Sequence, residues 1–236
     1  MQESNINILS TRFLEPQLVQ EMEENNIKVD IVNFIQTFPI VDASTILKIE
    51  QTIKTSSNVI FTSTNAINAI EKIINNKIPN WKIACIAATT YKKAVTVFGE
   101  SSILAKAESA KELASKILMH KEIKELYFFC GDRRRKELPQ LLQNAGVVVN
   151  EISVYTTKLT PQKIEQEYNG ILFFSPSAVE SFFSSNTISS GCTLFAIGNT
   201  TANAISNFSK NKIIISDKID SQHFIATAIA LLKQNQ

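Results

Sequence analysis

The sequence predicts an α/β protein of two similar doubly wound parallel-sheet domains joined by a two-stranded β linker, one of the domains being discontinuous. Three observations lead there. A motif occurs twice: Val59-Ile60-Phe61-Thr62-Ser63-Thr64-Asn65-Ala66-Ile67 returns as Ile171-Leu172-Phe173-Phe174-Ser175-Pro176-Ser177-Ala178-Val179, and Ile86-Ala87-Ala88-Thr89-Thr90 returns as Ile197-Gly198-Asn199-Thr200-Thr201. The two offsets nearly agree, with Ser63 and Ser175 lying 112 apart and Thr89 and Thr200 111 apart, which points to duplication. Short apolar runs also alternate with longer stretches at helical spacing, the pattern of a parallel sheet flanked by helices. Finally, a strand and helix precede the first copy, and the two arrays become equal only if that pair packs with the C-terminal half.

Taken in order, the apolar runs place strands at Ile6–Leu9, Asn58–Phe61, Lys82–Ile86, Ile103–Ala105, Glu125–Cys130, Gly170–Phe174, Thr193–Ile197 and Ile213–Ile215. The helical spacings between them place helices at Pro16–Asn25, Thr64–Asn75, Thr90–Phe98, Ala110–His120, Arg134–Ala145, Ser177–Ser184, Thr200–Phe208 and Ser221–Lys233. Two further segments, Val32–Phe38 and Glu151–Lys158, mix β-branched, aromatic and polar residues as an exposed connecting pair does. Pro39 and Pro161 are expected just outside them, where a missing N–H does least harm. The expected partition is residues 1–34 with 158–236 as the split domain, 37–152 as the inserted one, and 32–38 with 151–158 as the linker. Two thin crossings make a hinge, and a ligand is expected between the domains.

Composition excludes several classes of function. The formal charge of +2 and pI near 8.3 describe a balanced surface, without the basic stripe of a nucleic-acid binder. Cys85, Cys130 and Cys192 are odd in number and form no CxxC, so buried free thiols are expected in place of a disulfide framework or a zinc site. The start Met1-Gln2-Glu3-Ser4-Asn5 is not a basic segment leading into an apolar run, and no long apolar stretch follows, so a cytoplasmic protein is expected. With six glycines and no GxGxxG or GxxxxGK[ST], a pyrophosphate held on a glycine-rich turn is not expected. There is no GxSxG elbow, and His120 and His223 lie in surface-like helical contexts.

What remains is a set of hydroxyl-rich helix starts: Thr62-Ser63-Thr64-Asn65, Thr89-Thr90, Ser175-Pro176-Ser177 and Asn199-Thr200-Thr201. At the carboxyl ends of parallel strands, free helical N–H groups and hydroxyls can hold anionic oxygens. Each is also explicable as a helix cap alone. Four of them, paired between duplicated domains, suggest a site for several carboxylates or phosphates. The run Phe128-Phe129-Cys130-Gly131-Asp132-Arg133-Arg134-Arg135 ends a strand in arginines suited either to carboxylates or to a solvated helix start. Arg12, after the first strand, is similar. Tyr155, on the return crossing, is either a packing residue or a phenol able to donate a hydrogen bond to a leaving hydroxyl.

On these segments, together with Cys130-Gly131-Asp132-Arg133-Arg134-Arg135-Lys136-Glu137-Leu138-Pro139, Glu151-Ile152-Ser153-Val154-Tyr155-Thr156-Thr157 and Ala196-Ile197-Gly198-Asn199-Thr200-Thr201-Ala202, the chain resembles the uroporphyrinogen-III synthase family. The resemblance implies two domains on a two-stranded ladder, no cofactor and no metal. It also implies a small-molecule substrate, the linear tetrapyrrole hydroxymethylbilane with its many carboxylates, cyclised with inversion of ring D and loss of water in haem biosynthesis. By transfer, Tyr155 is catalytic. The substrate-binding set is Arg12, Thr62, Ser63, Asn65, Thr89, Gly131, Asp132, Arg133, Ser175, Ser177, Gly198, Thr200 and Thr201.

The sequence departs from the family pattern at Ala87, where a glycine like Gly198 is usual, at Tyr91, where a small residue like Ala202 is, and at Asn199 and Phe13, where proline is common. No nucleic-acid or membrane partner is expected, and a monomer is. The alternative is a non-catalytic two-lobed binding protein for a polyanionic small molecule; a nucleotide-dependent transferase would lack its phosphate loop.

Overall fold

Ile8 and Leu9 are neighbours in sequence and both fully buried, yet they belong to different cores. The same division separates Leu172 from Ile171, Ile60 from Phe61 and Phe128 from Phe129. Successive strand side chains point to opposite faces, so a strand that is apolar at every position must be covered on both. The computed structural model, which describes residues 6–75, 77–86 and 88–234, contains two sheets built this way.

In chain order the elements are β1 (Ile6–Ser10), α1 (Pro16–Glu24), β2 (Ile27–Ile31), β3 (Ile35–Pro39), α2 (Ala43–Ile53), β4 (Ser57–Phe61), α3 (Thr64–Ile74), β5 (Trp81–Ile86), α4 (Ala88–Phe98), a 3₁₀ turn (Glu100–Ser102) and β6 (Ile103–Ala107). There follow α5 (Ala110–Leu118), β7 (Glu125–Gly131), α6 (Glu137–Asn144), β8 (Val148–Leu159), β9 (Gly170–Phe173), α7 (Pro176–Phe183), β10 (Thr193–Ala196), α8 (Asn199–Ser206), β11 (Ile213–Ile215) and α9 (Ser221–Gln234). No described helix is long and apolar enough to cross a membrane.

One sheet has the order β11-β10-β9-β1-β2 and the other β6-β5-β4-β7-β8-β3. Read side by side, the first five positions of the two orders correspond, and all four pairings among them are parallel in each sheet. The duplication is therefore one of whole sheets, with β1 and β2 standing where β7 and β8 stand in the other. The chain divides into two compact units, one formed by the stretch up to Gln36 together with Lys158 onward, the other by Thr37–Thr157.

β3 and β8 are adjacent in sheet order. Thr160 N donates to Phe34 O and Ile40 N to Val154 O, so the partner number falls as the other rises, and the pair is antiparallel.

Several elements differ from the sequence reading. β2 was not expected; its Lys28 and Asp30 interrupt the apolar pattern because it is an edge strand, hydrogen-bonded to β1 alone. α2 was also not expected, although Asp42 accepts from Thr45 N as its N-cap and Ile49 is buried. Pro39 ends β3, where sheet order makes that strand an edge. The helix expected from Arg134 starts at Glu137, because Arg134 N closes a tight turn on Gly131 O and keeps Asp132–Arg134 out of it. Pro139 then falls in the first helical turn, where its missing N–H leaves no bond unmade. Ala87, singled out in the sequence, lies outside the described residues.

Candidate active site

Parallel sheets of this kind bind ligands where neighbouring strands send their chains to opposite sides, opening a crevice at the carboxyl ends. In the Thr37–Thr157 unit that point is the β4–β7 pair: β4 leads to β5 on one side, β7 to β8 on the other. In the other unit it is the β9–β1 pair, for the same reason. The residues leaving these four strands are Thr62-Ser63, Gly131-Asp132, Phe174-Ser175 and Thr11-Arg12, and most were candidates from the sequence.

At the β4–β7 point, Ser63 caps α3: its Oγ accepts from Asn65 N at 3.1 Å. The Tyr155 hydroxyl donates to the same Oγ at 3.3 Å, from β8. Gly131 faces Tyr155 across the β7–β8 ladder, Asp132 N donates to Tyr155 O at 3.1 Å, and Thr157 N donates to Asp132 Oδ1 at 2.9 Å. Asp132 thus bonds the protein's own backbone. Burial raises the Tyr155 pKa above the ordinary phenol value; the Ser63 bond opposes the rise, and Cys130 and Asp132 add to it. The phenol is neutral, and a donor, through the physiological range.

Of the three arginines, Arg134 pairs through Nε with Glu151 Oε2, and that bond raises its pKa. Arg133 and Arg135 are exposed. Thr62 is half-buried, and Thr89 is exposed in the first turn of α4. Tyr91, where a small residue is common, sends its hydroxyl to Glu100 at 2.7 Å while Lys106 sits over its ring.

At the β9–β1 point, the Arg12 guanidinium lies over the Phe174 ring, 4.0 Å from its centroid, and Nη2 donates to Ser221 Oγ at 2.6 Å. Ser175 caps α7, accepting from Ala178 N at 3.2 Å, and Ser177 is half-buried in the first turn. Gly198 precedes α8 with φ 178°, extended backbone that any residue can adopt. Thr200 is exposed, whereas Thr201 is 2 % exposed and gives its amide to Gly198 O, so it secures the turn. Phe174 and Ser221, which hold Arg12, were not among the sequence candidates. Phe174 read as the end of a strand and Ser221 as a helix start; only the fold brings either to Arg12.

Comparison with known proteins follows the same direction. The family model "Uroporphyrinogen-III synthase HemD" (HEM4) matches residues 16–226. No curated protein matches in sequence. The fold is similar to that of uroporphyrinogen-III synthetase from Helicobacter pylori 26695, with a TM-score of 0.65, 17% identity and coverage of 96% of this chain and 99% of that one. It is similar also to a mutant uroporphyrinogen III synthase from the extremely thermophilic bacterium Thermus thermophilus, with a TM-score of 0.64, 10% identity and coverage of 98% and 100%. With a model match spanning most of its length and a fold shared with solved synthases, the chain belongs to the uroporphyrinogen-III synthase family.

Proposed function

We propose that the family's reaction, cyclisation of hydroxymethylbilane to uroporphyrinogen III with inversion of ring D, is carried in this chain by the Tyr155 phenol, with hydroxyls, helix N-termini and Arg12 holding substrate carboxylates. The observation that carries this reading is the placement of Tyr155: a neutral, half-buried phenol at a strand switch point, in contact with a helix-capping serine.

Loss of the ring A hydroxyl leaves an electrophilic azafulvenium. Ring D attacks it through its substituted α-carbon to give a spiro-pyrrolenine, and the bond to ring C breaks and re-forms at the other α-carbon. In water the bilane closes without inversion, so the protein must speed departure of the hydroxyl and prevent simple closure. Tyr155 serves the first need by donating to the departing oxygen. Its bond to Ser63, at 3.3 Å, is longer than usual for O–H···O, so the proton is readily given to a stronger acceptor. Ser63, whose Oγ already accepts from Asn65 N, then turns its own proton to the phenol oxygen, and the polarised pair stabilises charge on the leaving group.

The second need is positional. A hundredfold preference between two closures corresponds to about 2.7 kcal/mol, which a few carboxylate contacts supply. Arg12, Ser175, Ser177, Gly198 and Thr200 on one unit, and Thr62, Ser63 and Thr89 on the other, are the contacts assigned. The test is product analysis with enzymatically generated hydroxymethylbilane. The expected product is the type III isomer, with Tyr155→Phe much slower; type I isomer alone from the unmodified chain would support the binding-protein alternative.

A further inference from the structure

Gly131 stands in the sequence as a candidate for touching substrate, but its surroundings give it a different task. A Cβ built there would lie 2.4 Å from Tyr155 Cζ, 2.6 Å from Cε2 and 2.7 Å from the hydroxyl oxygen. No side chain fits while the ring is in place. Backbone conformation does not account for the glycine, because the described glycines with positive φ are Gly99 and Gly146.

The ring reaches this seat through an irregularity in the ladder. From Glu125↔Val148 to Cys130↔Ser153 the register of β7 and β8 is constant; then Gly131 pairs with Tyr155, leaving one extra residue in β8. Ile152 and Val154 both face the core beneath α3, so strict alternation would send Tyr155 to the other face. Tyr155 packs instead against that same α3-side core, and its hydroxyl meets Ser63 at the start of α3. Such bulges re-aim side chains. Here the extra residue turns the ring onto β7, at the one place on that strand where no side chain obstructs it.

We propose that Gly131 is a positioning residue for the reaction: its missing side chain is the seat that holds the Tyr155 hydroxyl at Ser63. The proposal rests on the reading of Tyr155 as the phenol that assists departure of the leaving hydroxyl. Two experiments separate the two claims. In the first, the stability cost of Gly131→Ala is measured by urea denaturation in the unmodified chain and in a Tyr155→Ala background. The cost should be clear in the former and nearly absent in the latter, where the ring is gone; equal costs in both would overturn the seat. This comparison is independent of catalysis, and it covers the case in which Gly131→Ala alone does not fold.

In the second, kcat and KM are measured for Gly131→Ala, Tyr155→Phe and the double variant. Gly131→Ala should lower kcat by about tenfold or more with KM within about twofold, and should add less than about twofold to the loss already caused by Tyr155→Phe. Unchanged kcat in Gly131→Ala beside a slow Tyr155→Phe overturns the positioning role while Tyr155 keeps its own. A multiplied loss in the double variant overturns it too, because Gly131 would then act apart from the phenol. Full activity in Tyr155→Phe removes the underlying reading.

Discussion

Arg12 lies over the ring of Phe174, 4.0 Å from its centroid, with Nη2 bonded to Ser221 Oγ at 2.6 Å, so a cation is fixed at the strand switch point by one aromatic and one hydroxyl from other parts of the chain. A planar guanidinium can stack and still present N–H groups to a carboxylate, which an ammonium cannot do equally well. Arg12→Ala is expected to raise KM for the bilane roughly tenfold with a smaller effect on kcat, and Arg12→Lys to recover only part of that loss. Phe174→Leu should weaken binding less than Arg12→Ala. Steady-state kinetics at low and high salt check this; an Arg12→Ala enzyme with unchanged KM at both would remove Arg12 from the substrate contacts.

The phenol at Ser63 leads to a graded pair of effects. Tyr155→Phe keeps the ring and loses the proton donor, so turnover should fall by about tenfold to a hundredfold with the melting temperature nearly unchanged. Ser63→Ala removes the acceptor and the α3 cap together: turnover should fall less, and stability by about 1 kcal/mol. Burial raises the phenol pKa, so no loss of activity from Tyr155 ionisation is expected below pH about 10. A pH–rate profile that falls near neutrality because of Tyr155 would contradict the neutral-donor role.

Arg134, in the turn after β7, bonds Glu151 on β8, which assigns it to structure. Its side chain is 30% exposed, so the pair is partly screened, and Arg134→Ala should cost about 0.5–1 kcal/mol in urea denaturation while leaving KM within about twofold. Should KM rise as far as it does in Arg12→Ala, Arg134 belongs among the anchors after all.

Buried thiols set an alkaline limit on stability. Cys85, Cys130 and Cys192 are 0%, 1% and 3% exposed, and burial raises their pKa to about 11, 11 and 12. An unfolded thiol ionises near pH 8.5, so above that pH the unfolded chain binds fewer protons than the folded one, and stability falls as pH rises. The window opens near pH 9 and extends to the folded values of about 11 and 12. The urea midpoint should therefore drop steadily from pH 9 to 11, and less so in Cys→Ala variants. An aromatic disulfide reagent should find the thiols slow in native protein and fast in denaturant; rapid labelling of the native form would contradict their burial.

The duplication was legible because the repeated stretches are buried strands running into helix starts, two of them capped by Ser63 and Ser175, where neither core nor cap tolerates much drift. β1 was expected to pack with the C-terminal half by counting arrays alone; in the sheet it lies beside β9, with Ile8 paired to Gly170. Edge elements were harder to read. β2 mixes charge with apolar residues because only one edge of it is hydrogen-bonded, and α2 leaves Leu47 exposed, which blurs its apolar stripe. In the candidate site, the serines that cap α3 and α7 were expected from the motif, and Tyr155 was singled out by resemblance. The bulge that turns Tyr155 toward Ser63 could not be read, since one extra residue in β8 leaves no mark in composition. The Arg12–Phe174–Ser221 cluster was hidden for another reason: its members are 162 and 209 residues from Arg12, and no local pattern encodes such distances.

The place of β1 between β2 and β9 has a consequence for synthesis. Thr11, just beyond β1, donates its side-chain hydroxyl to Leu172 O, 161 residues further along, so the ribosome releases this central strand long before its neighbour exists. The Thr37–Thr157 unit is translated in one uninterrupted stretch and is complete while Ile8 and Leu9 still await their cover. Once the chain up to the end of β8 has cleared the ribosome, it holds one finished unit and an apolar, unpaired N-terminal segment of the kind that chaperones shield.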